Sequence, residues 1–257
     1  MKKFIVLAVV ALTALSLSGC IQVKSDTAIE KDGSGTASLA LSLSPGMADA
    51  IKEMEELGMN EGQDVDVPKL DEINREDIEA ACKGHGVTIT KFEKAEAPDT
   101  SLDIALEFED LKGLSYVMAS IMGGEPGEGM GIYETADGNY LLKAAKYEFP
   151  DEPAKPAEEA PEAAEQTEGP QLTDEEKAQK QMALYGKMMG ALAELDIRFT
   201  VTVPGEVIES NAPTVEGMTS IWAINSGNMM SMQDETMEPV IKFSSKGLDI
   251  EPLKEEE

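Results

Sequence analysis

The segment IQVKSDTAIEKDGSGTASLALSL, residues 21–43, carries the two-residue period of a β-strand on both sides of one turn. Ile21, Val23 and Ile29 fall on one face of its first half, with Gln22, Lys24 and Glu30 on the other. Lys31-Asp32-Gly33-Ser34-Gly35 gathers residue types that accept tight backbone turns, and Ala37, Leu39, Leu41 and Leu43 then alternate with Ser38 and Ser42. The expectation is a β-hairpin with one apolar face. Such a hairpin is stable only when another layer covers that face.

The rest of the chain supplies candidates for that layer. Ser44-Pro45 is an N-cap followed by a proline at the first helical position, and Met47, Ile51, Met54 and Leu57 form an apolar stripe that Gly58 ends. A second short helix follows Asn74, with Ile73 and Ile78 spaced as a hydrophobic staple, and Gly84 stops it. Val87 and Ile89 begin a strand that turns at Ala97-Pro98-Asp99. Leu102, Ile104, Leu106 and Phe108 alternate with Asp103 and Glu107 in the next. Asp110 caps a helix whose face is Leu111, Leu114, Val117, Met118 and Ile121, with Gly123-Gly124 as its stop; the Gly-rich run 123–131 reads as a flexible loop. Strands are expected over 131–135 and 139–148, joined at Asp137-Gly138.

Residues 150–171 are Pro, Ala and Glu almost throughout, so they bury too little apolar surface to offset ordering entropy, and a disordered acidic linker is expected. Thr173 and Glu176 are spaced as a capping box before a helix carrying Ala178, Met182, Tyr185, Met189 and Leu192 on one stripe. Ile197, Phe199, Val201 and Val203 then alternate with Arg198, Thr200 and Thr202. Pro204-Gly205 turns into Val207-Ile208, and strands at 219–225 and 238–244 close the chain. The fold class expected is α+β, an antiparallel β-sheet with helices packed on a face and interrupted by the linker. The boundaries are a leader at 1–19, a first part at 20–149, the linker at 150–171, and a helix with strands at 172–257 that completes the same domain.

Upstream of the hairpin the chain opens Met1-Lys2-Lys3, continues with an apolar run from Phe4 to Leu17, and reaches Leu17-Ser18-Gly19-Cys20. The run falls short of the roughly 20 apolar residues that span a bilayer, and it has the flanks of a secretory leader. Small residues at 18 and 19 fit a peptidase groove, and the Cys20 thiol is the one nucleophile there that can take a thioether-linked diacylglycerol. The motif resembles the lipobox of bacterial lipoproteins. It implies cleavage before Cys20 and anchoring by palmitate-like chains. Ile21 after the cysteine implies the outer membrane in a Gram-negative cell, and otherwise the outer face of the cell membrane. With no spacer between Cys20 and the first strand, the folded part is expected to sit close to the lipid.

Loss of Lys2 and Lys3 with the leader leaves 19 basic against 50 acidic residues, a formal charge of −31. A surface of that sign repels nucleic acid, so no nucleic-acid partner is expected. Of the two cysteines, Cys20 is committed to lipid, which leaves Cys82 without an intramolecular disulfide partner.

Three features together resemble the LppM family of bacterial lipoproteins: Gly19-Cys20 running straight into a strand that ends at Asp32-Gly33-Ser34-Gly35; the strand from Leu39 entering a helix at Pro45; and Phe199-Thr-Val-Thr-Val-Pro204-Gly205-Glu-Val207-Ile-Glu-Ser-Asn211 with Trp222 downstream. The resemblance implies an α+β envelope domain associated with lipid or glycolipid. It does not imply an enzyme.

Catalytic chemistry is hard to assemble from these residues. His85 is the only histidine and lies between Gly84 and Gly86, where a solvated ring or a bond to a helix carbonyl is expected. Cys82 follows Ile78 by four residues on one helix face and reads as a buried small hydrophobe. No metal site and no cofactor are expected, because a zinc site lacks ligands and the Gly-rich run lacks the Lys-Ser/Thr of a phosphate loop. Met229, Met230, Met232 and Met237 read as core filling or an adaptable apolar surface. The functional expectation is a non-enzymatic, membrane-anchored lipoprotein that binds a lipid, glycolipid or other envelope component in an apolar groove between sheet and helices. The ligand-binding residues are left open. The alternative is an envelope-assembly module whose acidic linker reaches a protein partner.

Overall fold

The computed structural model describes residues 21–56, 70, 73–95, 100–122, 127–149, 174–228 and 238–254. The leader with Cys20, the acidic linker, the Thr173 cap and the methionine cluster at 229–237 lie outside the described residues.

The alternating segment at 21–43 forms the expected hairpin, β1 (Ile21–Ile29) and β2 (Gly35–Leu43), in unbroken antiparallel register from Ile21↔Leu43 to Ile29↔Gly35. Its turn is closed by Asp32, whose carboxylate accepts from the Ser34 N–H (3.1 Å) and the Ser34 hydroxyl (2.6 Å), while Gly33 takes φ +88. Helix α1 (Pro45–Glu56) follows at once, with the Met47 N–H donating to Ser44 Oγ (3.3 Å). Helix α2 (Arg75–Cys82) is capped by Asn74, whose side chain accepts from the Asp77 N–H at 2.9 Å. Its buried residues are Ile78 and Cys82.

Strands β3 (Val87–Ala95) and β4 (Thr100–Phe108) extend the hairpin, β4 pairing with β2 along its whole length. Asp110 then caps α3 (Leu111–Met122), its carboxylate accepting from the Gly113 N–H at 2.7 Å. Next come β5 (Glu128–Glu134) and β6 (Tyr140–Lys146), α4 (Asp174–Ala193), β7 (Leu195–Thr202), β8 (Val207–Ser210), β9 (Thr214–Glu216), β10 (Thr219–Asn225) and β11 (Ile241–Phe243).

The fold is α+β with two sheets, a seven-stranded one in the order β3-β4-β2-β1-β7-β10-β9 and a four-stranded one in the order β5-β6-β11-β8. Pairing is antiparallel except between β1 and β7, which run parallel from Ile21↔Leu195 to Ala28↔Thr202. The α+β class with mostly antiparallel strands is as expected; the one parallel pair arises because β7 reaches β1 from a helix, and a parallel neighbour needs such a crossover. One continuous core joins Leu39, Ile104 and Val117 to Val201, Trp222, Ile241 and Phe243, drawing on both sides of residues 150–171.

Three expectations need correction. The Gly-rich run does not stay a loop: residues 128–131 are already strand, because Gly129 and Gly131 let β5 come close to its neighbours. A Cβ at Gly129 would stand 1.8 Å from Ser115 Oγ, and one at Gly131 would stand 2.5 Å from a Leu253 methyl. Of the apolar stripe expected on α4, Met182 and Tyr185 are 78% and 66% exposed, while Leu184, off that stripe, is 1% exposed. Strand β9 was not foreseen, since three exposed residues carry too little periodicity to register.

Gly113 yields a test of the packing. On propensity alone alanine would stabilise a helical position by up to about 1 kcal/mol, less in the first turn where Gly113 lies. Here its Cβ would lie 1.9 Å from the His85 carbonyl oxygen, a backbone atom that cannot swing aside. Gly113→Ala is expected to destabilise by about 1–3 kcal/mol, read as a lower urea midpoint.

Candidate functional site: a methionine-walled groove

On the core face of the large sheet, three small side chains adjoin where β1 meets β2. Val23 and Ile29 flank Ser25 and Thr27 on β1, and Thr27 pairs directly with Ala37 of β2. Three small side chains in adjoining positions leave the surface of the sheet low there. Helix α3 passes above, held off by β5, which backs on to Ser115 through Gly129. The result is a groove of about 310 Å³ with Ser25, Thr27 and Ala37 as its floor.

One wall is the α3 stripe Leu111, Leu114, Met118 and Met122, spaced by three and four residues. The other is Gly129 and Met130 of β5. Ser115 is buried, and its hydroxyl donates to the Leu111 carbonyl at 2.7 Å, so that wall shows little hydrogen-bonding demand. The Tyr147 hydroxyl donates to the Met130 carbonyl at 2.5 Å and ties down β5, and burial pushes its phenol above the usual range. Met122 is 38% exposed at the rim. Glu128 also borders the groove, and its carboxylate pairs with Lys146 at 3.3 Å in solvent. The site is therefore apolar within and charged outside.

A larger depression of about 1100 Å³ lies beyond β5 and shares Glu128, Gly129 and Met130 with the groove. It is wide, and Lys143, Lys146, Glu148, Glu238 and Lys254 border it. The Lys143 ammonium sits 4.6 Å from the Tyr133 ring centroid. Of the two, the smaller groove has the apolar walls that hydrocarbon requires.

The residues singled out for chemistry are not brought together. The ring of His85 is half-buried: it stacks on Tyr116, with centroids 3.8 Å apart and planes 13° from parallel, and meets the edge of Phe149 at 5.8 Å, contacts that were not expected. Its backbone N–H donates to the Cys82 carbonyl at 3.1 Å. Cys82 is buried, as its position on α2 predicts, and burial raises its thiol pKa, with Glu79 adding to the effect. Thiol reagents are expected to label Cys82 slowly in the native protein and rapidly in urea; equal rates would contradict the burial. Among the described residues no group of three or more His, Cys, Asp or Glu side chains is placed to hold a metal ion.

The expected groove between sheet and helices had no residues assigned to it, and its floor was not foreseen. The signal was nonetheless present: Ser25 and Thr27 interrupt the apolar face of a strand whose neighbours at 23 and 29 are Val and Ile.

No protein-family model matches this chain, and no curated protein matches it. Among solved structures the chain is similar to the NMR structure of the folded domain of the Mycobacterium tuberculosis LppM protein. The TM-score is 0.37 and the identity 11%, over 88% of this chain and 90% of that one. Among the described residues no helix is long and apolar enough to cross a membrane.

Proposed function

We propose that this chain is a bacterial lipoprotein tethered by acyl groups on Cys20, acting by binding rather than catalysis, and that its groove takes one alkyl chain of a lipid or glycolipid. The observation that carries the binding reading is the lining: Ser25, Thr27 and Ala37 below, with Met118, Met122 and Met130 along the sides. At about 310 Å³ the space lies at the low end of small-molecule sites, which suits one alkyl chain and not the body of a two-chain lipid. Methionine side chains are flexible and polarisable, so they adapt to a chain that has no fixed shape. The Glu128–Lys146 pair outside would leave a headgroup in water. The anchor reading rests on the lipobox at 17–20.

Two experiments test the two halves. Cells fed labelled palmitate are expected to acylate the wild-type chain and not Cys20→Ala; a labelled Cys20→Ala chain would remove the anchor. Native mass spectra of the Cys20→Ala protein with a dodecyl-chain lysophospholipid are expected to show one bound molecule. A spectrum showing only apoprotein would end the binding reading.

A further inference from the structure

We propose that the groove is closed at one end and open at the other, so that it admits a single alkyl chain methyl end first and selects by length, with a dodecyl chain the longest it encloses. The inference rests on the groove-binding reading above, and it adds which way the chain lies and where its length is read.

The closed end lies one row beyond Thr27 and Ala37. The next pair on the same face of the hairpin is Ile29 and Gly35. Gly35 has no side chain to block the row, and the Phe108 ring takes that space: a Cβ at Gly35 would stand 2.7 Å from Phe108 Cζ. Ile29 is 4% exposed and Phe108 is 3% exposed, and both belong to the continuous core. Two large, buried side chains therefore stop the floor. Chain continuity keeps Leu111 at this end, because only Glu109 and Asp110 separate it from Phe108. Leu111 and Leu114 line the groove there and are both buried.

Farther along α3 the burial falls. Met118 is half-buried, and Met122 reaches 38% exposure. Ser25 and Met130 are half-buried, and Glu128 is exposed. The lining changes in kind as well. Leucines have few, well-defined rotamers and fix the position of the closed end, while methionines at the mouth adapt to what enters. Among the described lining residues only Glu128 is charged, and it pairs with Lys146 in solvent. A headgroup carried to the closed end would lose its water without gaining a charged partner, so the methyl end leads. From Leu111 to Met122 the helix rises about 16 Å at 1.5 Å per residue, the reach of an extended dodecyl chain. Methylenes beyond that length stay in water at the mouth and add little to affinity.

The test titrates the Cys20→Ala protein with alkylphosphocholines that share one headgroup and carry octyl, decyl, dodecyl, tetradecyl or hexadecyl chains, each below its micelle-forming concentration. Affinity is expected to rise about tenfold for each added pair of methylenes up to dodecyl, and by less than about twofold per pair after it. In Ala37→Leu, whose added carbons occupy the closed end, the break is expected at decyl. Urea denaturation reports separately that the variant is folded, and the wild-type series alone decides the closed end if it is not. Affinity that climbs at one rate through hexadecyl overturns the closed end and leaves the binding reading standing. A break that stays at dodecyl in folded Ala37→Leu also overturns it, because the limit then lies outside this groove. Absence of binding by every chain removes the binding reading and this inference together.

Discussion

Ala37→Leu is expected to weaken binding of a single alkyl chain by at least about tenfold while leaving the fold intact. Ala37 forms part of the groove floor, directly across from Thr27. The three added carbons enter the groove and displace a similar length of ligand. At about 0.8 kcal/mol per buried methylene, loss of two or more methylenes lowers affinity by at least about tenfold. Stability is expected to change by less than about 1.5 kcal/mol, because the new atoms meet an open groove and not a close-packed core. Titration with a dodecyl-chain lysophospholipid gives the first quantity and urea denaturation the second. Unchanged affinity in a folded Ala37→Leu protein would place the ligand elsewhere. Met182→Ser is the matched control. It alters an exposed residue of α4, outside the groove, and is expected to leave affinity unchanged.

Cutting the chain within 150–171 is expected to leave two fragments that migrate together until denaturant separates them. Strand β7, from the later fragment, lies between β1 of the earlier fragment and β10 of its own. Strand β11 lies between β6 and β8 in the same interleaved way. Each sheet therefore contains strands from both fragments, and parting them would strip backbone hydrogen bonds and expose Val201, Trp222, Ile241 and Phe243. Size-exclusion chromatography after limited proteolysis, with and without urea, reads the outcome. Folded fragments that separate in plain buffer would contradict the shared core.

The hairpin, its turn, and the caps at Ser44, Asn74 and Asp110 were legible because each is local. A half-buried strand shows its period in nine residues, and a cap shows in one residue and the turn after it. What stayed hidden depends on distant partners. The parallel pairing of β1 with β7 is set by residues more than 170 positions apart, and alternation in Ile197, Phe199 and Val201 does not say which strand lies beside them. On α4 the face containing Leu184 is the less apolar one in sequence, with Lys180, Gln181 and Lys187 at helical spacing from it, yet Leu184 is buried while Met182 and Tyr185 are exposed, so helical spacing pointed to the wrong side. Gly129 and Gly131 look like loop residues until Ser115 and Leu253 are seen pressed against them. The groove is the instructive case. Small residues at 25, 27 and 37 each look unremarkable in a strand, and only the register that sets Thr27 against Ala37 beneath α3 turns them into a cavity.

The binding account is tested most directly by photocrosslinking a fatty acid that carries a mid-chain diazirine, then mapping the adducts by peptide mass spectrometry. The predicted adducts fall on Met118 and Met122 of α3 and on Met130 of β5, and they disappear when unlabelled dodecyl-chain lipid competes or when Ala37 is replaced by leucine. Adducts confined to α4, or spread over the surface without competition, would contradict a chain-binding groove.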